Sequence, residues 1–272
     1  MRYRIRLTAA LLAVLAIVAA CQASTAQGPK SLINEIKQRG SLMVGVAEAK
    51  PFSYKDGDTW SGIFIDPMKD WADSLGVKIQ FVPTTWENIV AGLQAHQYDI
   101  AAALNARPAR ANTVTFSQPL MQSRGVYILD PAKVSARTWD QLNQPNWKVC
   151  VSQGSAEDLA LTNLNPSLQI VRLPDNDACT LALTSGQVDA WKADWTGAGN
   201  IIQAHSNLRM LVPVPAQNGE GIGYAIPFGY TYDDVQALNI QLDSFVQRGL
   251  LDKSYRDSGF VNPDQWDVAT GS

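Results

Sequence analysis

The chain has 272 residues and a formal net charge of −3 at neutral pH, with 22 Lys and Arg against 25 Asp and Glu. That length suits one large domain or two modest ones, and an apolar share of 46% beside 17% charged residues describes a globular chain, not a disordered one. No basic cluster interrupts the body of the sequence, so nucleic acid is not an expected partner.

The N-terminus reads as a targeting segment. Arg2, Arg4 and Arg6 form a basic start, and Leu7 to Ala20 is apolar but too short to span a bilayer comfortably. Val18-Ala19-Ala20-Cys21 has the form of a lipobox, which predicts a signal peptide over residues 1–21 and a lipid on Cys21. The competing reading is ordinary cleavage after Ser24-Thr25-Ala26. Either way the mature chain is exported to the periplasm or cell envelope, and the lipobox reading tethers it to the membrane there. Residues 22–36 form a linker and the start of the first helix.

From there the pattern alternates. A helix is predicted from Ser31 to Arg39, N-capped by Ser31 and stopped by Gly40. A strand follows over Ser41–Val46, then a turn region from Lys50 to Gly57. Gly62–Asp66 leads into a helix that ends at Leu75 before Gly76, and Val77–Val82 alternates as a strand. Trp86 to Ala95 spaces Trp86, Ile89, Val90 and Leu93 for one face of a helix. The stretch that opens at Tyr98 begins as a short apolar run, the mark of a strand buried on both faces. It breaks at Asn105, and a loop containing Pro108 places Arg110 just past the strand's carboxyl end, where open α/β sheets bind their ligands. Arginine offers a planar fork of donors that matches a carboxylate; the plainer alternative is a surface salt bridge.

Ser123–Leu129 is predicted to cross to a second set of βα units. These are strands at Val149–Val151, Leu168–Val171, Val188–Trp191 and Leu208–Val212, with helices at Ser155–Leu164, Asp177–Ser185 and Asp194–Ala204. Gly221–Ile226 crosses back, ahead of helices at Asp233–Arg248 and Leu250–Ser258. The predicted organisation is a discontinuous first lobe, residues 37–123 and 227–272, and a second lobe, residues 124–226. Two crossovers make a hinge, which suits closure around a ligand.

The stretch from Asp99 to Leu120 resembles the motif of the extracellular solute-binding protein family 3, which serves amino-acid ABC importers. Asp99, Pro108, Arg110, Val114, Phe116, Ser117 and Pro119 match that motif, whereas Arg107, Ala109 and Leu120 replace its threonine, glutamate and tyrosine. Pro51-Phe52 with Gly62–Asp66, and Gly186 to Asp194, resemble two further family segments. The resemblance covers roughly residues 40–260. It implies an α/β fold of type II periplasmic binding proteins: two lobes of mostly parallel sheets flanked by helices, joined by a two-strand hinge. It also implies a monomer without cofactor or catalytic group that hands a free amino acid to a membrane permease. Cys150 and Cys179 stand where several family members carry a bridged pair; two buried free thiols are the alternative. No metal is expected, since His96 and His205 show no ligand spacing with these cysteines.

A buried zwitterion needs a partner for each of its charges. The resemblance gives the ligand carboxylate to Arg110, to the loop Gly154-Ser155-Ala156 at a helix N-terminus, and to the Asn105 amide. It gives the ammonium to Asp194, assisted by the Ala103 carbonyl. Taken alone, Ser155 and Asp194 are also ordinary N-caps, and Asn105 an ordinary turn residue. Phe52 and Trp86 match the family's pocket walls, although Trp86 also fits a helix's apolar face. Glu48 lies where an acidic residue often meets a basic ligand, whereas Arg107 would add positive charge for an acidic one. The two indications oppose each other, and the amino acid stays open. Cyclohexadienyl dehydratases share the resemblance: their loop reads Gly-Gly-Thr-Asn-Glu, and Glu157 falls at the position of its acid. A sensor using the same cleft, docking with a separate partner, is the third possibility.

Overall fold

The computed structural model describes residues 30–260 and 269–270. The signal segment, the lipobox with Cys21 and the linker lie outside the described residues. Helix α1 (Leu32–Arg39) has the expected ends: the Ser31 hydroxyl accepts from the Asn34 N–H, and Gly40 adopts the left-handed conformation at φ 75°. It leads into β1 (Ser41–Ala47). The expected turn after β1 is a small hairpin, β2 (Tyr54–Asp56) with β3 (Thr59–Ser61). Then come α2 (Asp66–Leu75), β4 (Lys78–Thr84), α3 (Ile89–Gln94), β5 (Ile100–Asn105), α4 (Pro108–Ala111), β6 (Val114–Phe116) and β7 (Met121–Gln122). Helix α3 starts later than its periodicity predicts because Thr85–Asn88 form a turn, in which the Thr85 hydroxyl accepts from the Asn88 side chain.

The chain crosses over through β8 (Gly125–Leu129) to α5 (Trp139–Leu142), β9 (Lys148–Ser152), α6 (Ala156–Asn163), β10 (Gln169–Leu173), α7 (Asn176–Thr184), β11 (Ala190–Asp194), α8 (Trp195–Ala204) and β12 (Arg209–Val212). It returns through β13 (Gly221–Pro227) to α9 (Tyr232–Gln247) and α10 (Leu250–Asp257), with β14 at Ala269–Thr270.

Two sheets result. The first has the order β4-β1-β5-β13-β6, with β7 also on β13; the second has the order β10-β9-β11-β8-β12-β14. Strands β4, β1 and β5 are parallel, as are β10, β9 and β11, while β13 and β8 run antiparallel to their neighbours. Two expected boundaries move. Strand β13 ladders onto β5 and belongs to the first sheet, so the return falls before Gly221 and not at residue 227. The buried strand β5 needs a backbone partner on its open edge, and β13 supplies it. At the C-terminus, β14 pairs with β12, so the tail adds to the second sheet and does not stay wholly with the first. Strand β11 also runs on to Asp194, because β8 pairs with it along its length.

The first sheet buries Leu42, Val44, Ile63, Phe64, Met68 and Ile100 on one side and Ile89, Leu93, Tyr98 and Leu104 on the other. The second is likewise covered on both faces, and the Cys150–Cys179 disulfide joins β9 to α7. The crossovers run side by side: the Ser123 N–H donates to the Glu220 carbonyl at 2.8 Å. They pass so closely at Gly125 that a Cβ there would sit 1.7 Å from Asn218 Oδ1.

One carboxylate caps two helices. Asp234 accepts from the Ser31 hydroxyl (2.9 Å) and the Leu32 and Ile33 N–H groups (3.0 and 3.1 Å) of α1, and from the Thr231 hydroxyl (2.7 Å) at the head of α9. Burial by itself would raise its pKa, but these hydrogen bonds outweigh burial and hold it below the usual aspartate value. A depressed folded pKa means the stabilisation is present above the unfolded value and is lost as pH falls through the folded one. Asp234→Ala should therefore cost about 1–3 kcal/mol at neutral pH and flatten the acid limb of the melting profile. Thermal melts between pH 2 and 7 check this; superimposable profiles would refute the shared cap.

Candidate functional site

A cleft of about 520 Å³ lies between the two sheets, within the range of small-molecule sites. Lobe one supplies Glu48, Phe52, Trp86, Ala103, Asn105 and Arg110, and lobe two supplies Ser155, Ala156 and Asp194. The structure thus brings nine of the ten expected residues to one cavity; Gly154 stands apart, at the seam where the lobes touch.

Arg110 gets there because Pro108 opens a single turn, α4, straight after β5. The turn swings the side chain back over the strand's end, where it is 7% exposed. Among the described residues its guanidinium donates only to backbone carbonyls, of Asn105 at 3.4 Å and of Gly154 at 3.1 Å. Burial, and then the nearby charge of Arg107, lower its pKa to about 10. Among the described residues no carboxylate pairs with it. The Asn105 amide nitrogen is also buried without a partner, on the same cavity wall.

Asp194 is both a cap and a cleft residue. Oδ1 accepts from the Thr196 N–H at 2.9 Å, N-capping α8, while Oδ2 accepts from the Ser123 hydroxyl at 2.7 Å and the Arg124 N–H at 3.2 Å. Burial raises its pKa against the pull of these bonds. Ala103 reaches the wall through an irregularity: the β5–β13 register slips between Gly223 and Ala225, and Ala103 takes a φ of 59°. A bulge of this kind turns one residue out of the ladder, and a left-handed alanine costs about 1–2 kcal/mol.

The helix-terminus loop is more occupied than the sequence suggests. The Gly154 N–H donates to Asp158 Oδ2 at 3.0 Å, the Ser155 N–H to the Ser152 carbonyl at 3.1 Å, and the Ser155 hydroxyl caps α6 by accepting from the Asp158 N–H at 3.1 Å. The Ala156 N–H opens α6 on the cleft wall. Arg107 is turned away from the ligand space: it is buried against the crossover, with Nη2 2.9 Å from Glu220 Oε1.

Sequence reasoning gave no role to Lys192, which lines the cleft at 1% exposure. Its ammonium donates to Gln217 Oε1 at 2.8 Å and the Tyr127 hydroxyl at 3.4 Å, and it sits 4.6 Å from the centre of the Tyr127 ring. Burial lowers its pKa to about 7. The available signal was a lysine between Trp191 and Ala193, just past a predicted strand. Glu157 is close by; burial, then the negative charge of Asp194, push its carboxyl up. At the mouth, the carboxylates of Glu48, Asp56, Asp175, Asp177 and Asp257 outnumber the ammonium groups of Lys50 and Lys55.

This chain matches the family model of bacterial extracellular solute-binding proteins, family 3, over residues 42–255, and it belongs to that family. It is 26% identical over 249 residues to a probable histidine-binding protein of Campylobacter jejuni, covering 90% of this chain and 95% of that one. It is 28% identical over 208 residues to the cyclohexadienyl dehydratase of Pseudomonas aeruginosa, covering 75% and 77%. Among solved structures, an ancestral cationic amino acid solute-binding protein is 31% identical with a TM-score of 0.66, covering 84% of this chain and 99% of its own. The fold is the two-lobed one of periplasmic binding proteins.

Two outcomes test the site. Arg110→Ala should weaken ligand binding by about 3–5 kcal/mol, the effect of taking one partner from a buried ion pair; calorimetry with an unchanged Kd would remove Arg110 from the site. Lys192 titrates near 10.4 when unfolded and near 7 when folded, so between these values the folded state binds fewer protons. Its cost to stability is full below pH 7 and fades as the pH rises towards 10. The melting temperature of the wild type should accordingly climb across that interval relative to Lys192→Met, and parallel profiles would contradict the burial.

Proposed function

We propose that this protein captures a free cationic amino acid between its lobes and presents it to the permease of an ABC importer. The observation that carries the reading is Arg110: a buried guanidinium on the cleft wall without a carboxylate partner, facing a lobe that offers Asp194. Arg110, the Asn105 amide and the Ala156 N–H hold the α-carboxylate; Asp194 and the Ala103 carbonyl hold the ammonium. Phe52 and Trp86 wall the side chain, and aromatic faces accept apolar and cationic groups alike.

Of the two opposed indications in the sequence, Arg107 is cancelled by Glu220, and Glu48 remains at an acidic mouth. That balance favours a positive side chain, in line with what the names of the histidine-binding and ancestral cationic relatives say of those proteins. Export with a lipid on Cys21 would place the cleft beside the permease.

A thermal-shift panel of the common amino acids tests this. A ligand that binds only the folded state stabilises it by about 2.7 kcal/mol at one hundred times its Kd. Arginine, lysine or histidine should give the largest rise and glutamate and aspartate the smallest. No shift with any amino acid, or the largest with an acidic one, defeats the reading.

The dehydratase reading has its own observation, the half-buried Glu157 on the cleft wall, whose carboxyl is pushed up by desolvation and the charge of Asp194, the direction that suits a general acid. Capture does not need it. Incubation with prephenate or arogenate should leave both unchanged; an aromatic product would establish the enzyme.

A further inference from the structure

Among the described residues two hydrogen bonds bridge the lobes outside the ligand space, one at each end of the cleft. Beside the Trp86 wall, Gln153 Nε2 of lobe two donates to Glu87 Oε1 of lobe one at 2.9 Å. Beside Ile201 and Asp257, Asn200 Nδ2 of α8 donates to the Gly259 carbonyl, just past α10, at 2.7 Å. The backbones themselves meet at the first point: a Cβ on Gly154 would lie 2.5 Å from Glu87 Cα. Gly154 is thus where the lobes come to rest on each other. Neither Glu87 nor Asn200 lines the cavity.

We propose that Glu87 and Asn200 are positioning residues that latch the shut cleft: they contact the opposite lobe and not the ligand, and they set how long the ligand stays. The inference rests on the amino-acid reading above. A latch that engages only after the lobes meet acts on dissociation and leaves the encounter alone. It is also indifferent to the ligand's side chain, unlike a residue of the mouth.

Stopped-flow tryptophan fluorescence with L-arginine, L-lysine and L-histidine, on the wild type, Glu87→Ala, Asn200→Ala and the double variant, tests it. Each single variant should dissociate about fivefold faster with all three ligands, the value of one ordinary hydrogen bond. Association should stay within about twofold and the order of affinities should not change, because the encounter precedes the latch. Dissociation at the wild-type rate, or a reordering of the three ligands, overturns the latch. If none of the three binds the wild type, the cationic reading fails, and the same measurement with whichever common amino acid raises the melting temperature most decides the latch: dissociation from the double variant at the wild-type rate overturns it.

Discussion

A positive charge buried between two lobes is the constraint on which this structure turns. Arg110 leaves water almost completely, and what it receives in exchange is a pair of backbone carbonyls. Neutral acceptors compensate a desolvated guanidinium poorly, which is why its pKa falls although arginine resists deprotonation. One of the two carbonyls belongs to the opposite lobe. The same side chain therefore sits at the seam and on the cleft wall, so in the proposed reading recognition and closure share one group.

The other charges in and beside the cleft are fastened to the crossovers. Asp194 takes the Ser123 hydroxyl and the Arg124 N–H on the outgoing crossover. On the return, Lys192 holds Gln217, Glu157 accepts from Asn218, and Arg107 pairs with Glu220. Each is a polar group whose burial is tolerable because the crossovers supply partners. The chain segments about which the lobes turn are thus the ones that hold the cleft's electrostatics in place.

A fold of this kind does not dictate one activity. Among relatives of similar identity are a protein named for histidine binding and a dehydratase, and the cleft contains elements that serve either use. Glu157 has a carboxyl pushed up by its surroundings, while Arg110 and Asp194 line the same cleft from opposite lobes with opposite charges. The difference lies in whether the bound molecule offers a leaving group within reach of the carboxyl, and chemistry of that kind is decided by the ligand as much as by the protein.

Much of this was local and therefore legible in the sequence. Ser31 and Gly40 bound a helix by their own chemistry; the apolar run in the stretch that opens at Tyr98 had to be buried; Pro108 and Arg110 followed a strand end closely enough to mark a ligand-facing turn. What escaped depends on residues far apart in the chain. That Arg107 is neutralised needed Glu220; that Asp234 caps a helix some two hundred residues upstream needed the packing of α1 on α9. The loop at Gly154 exposes fewer donors than its motif suggests, because Asp158 folds back on it. Lys192 received no role from the sequence, because Tyr127 and Gln217, which enclose it, lie far from it along the chain. Periodicity and capping act over a turn or a strand and can be read in order along the chain. The pairing of buried charges is settled only when the two lobes and their crossovers are assembled, because a partner's identity carries no trace in its neighbours.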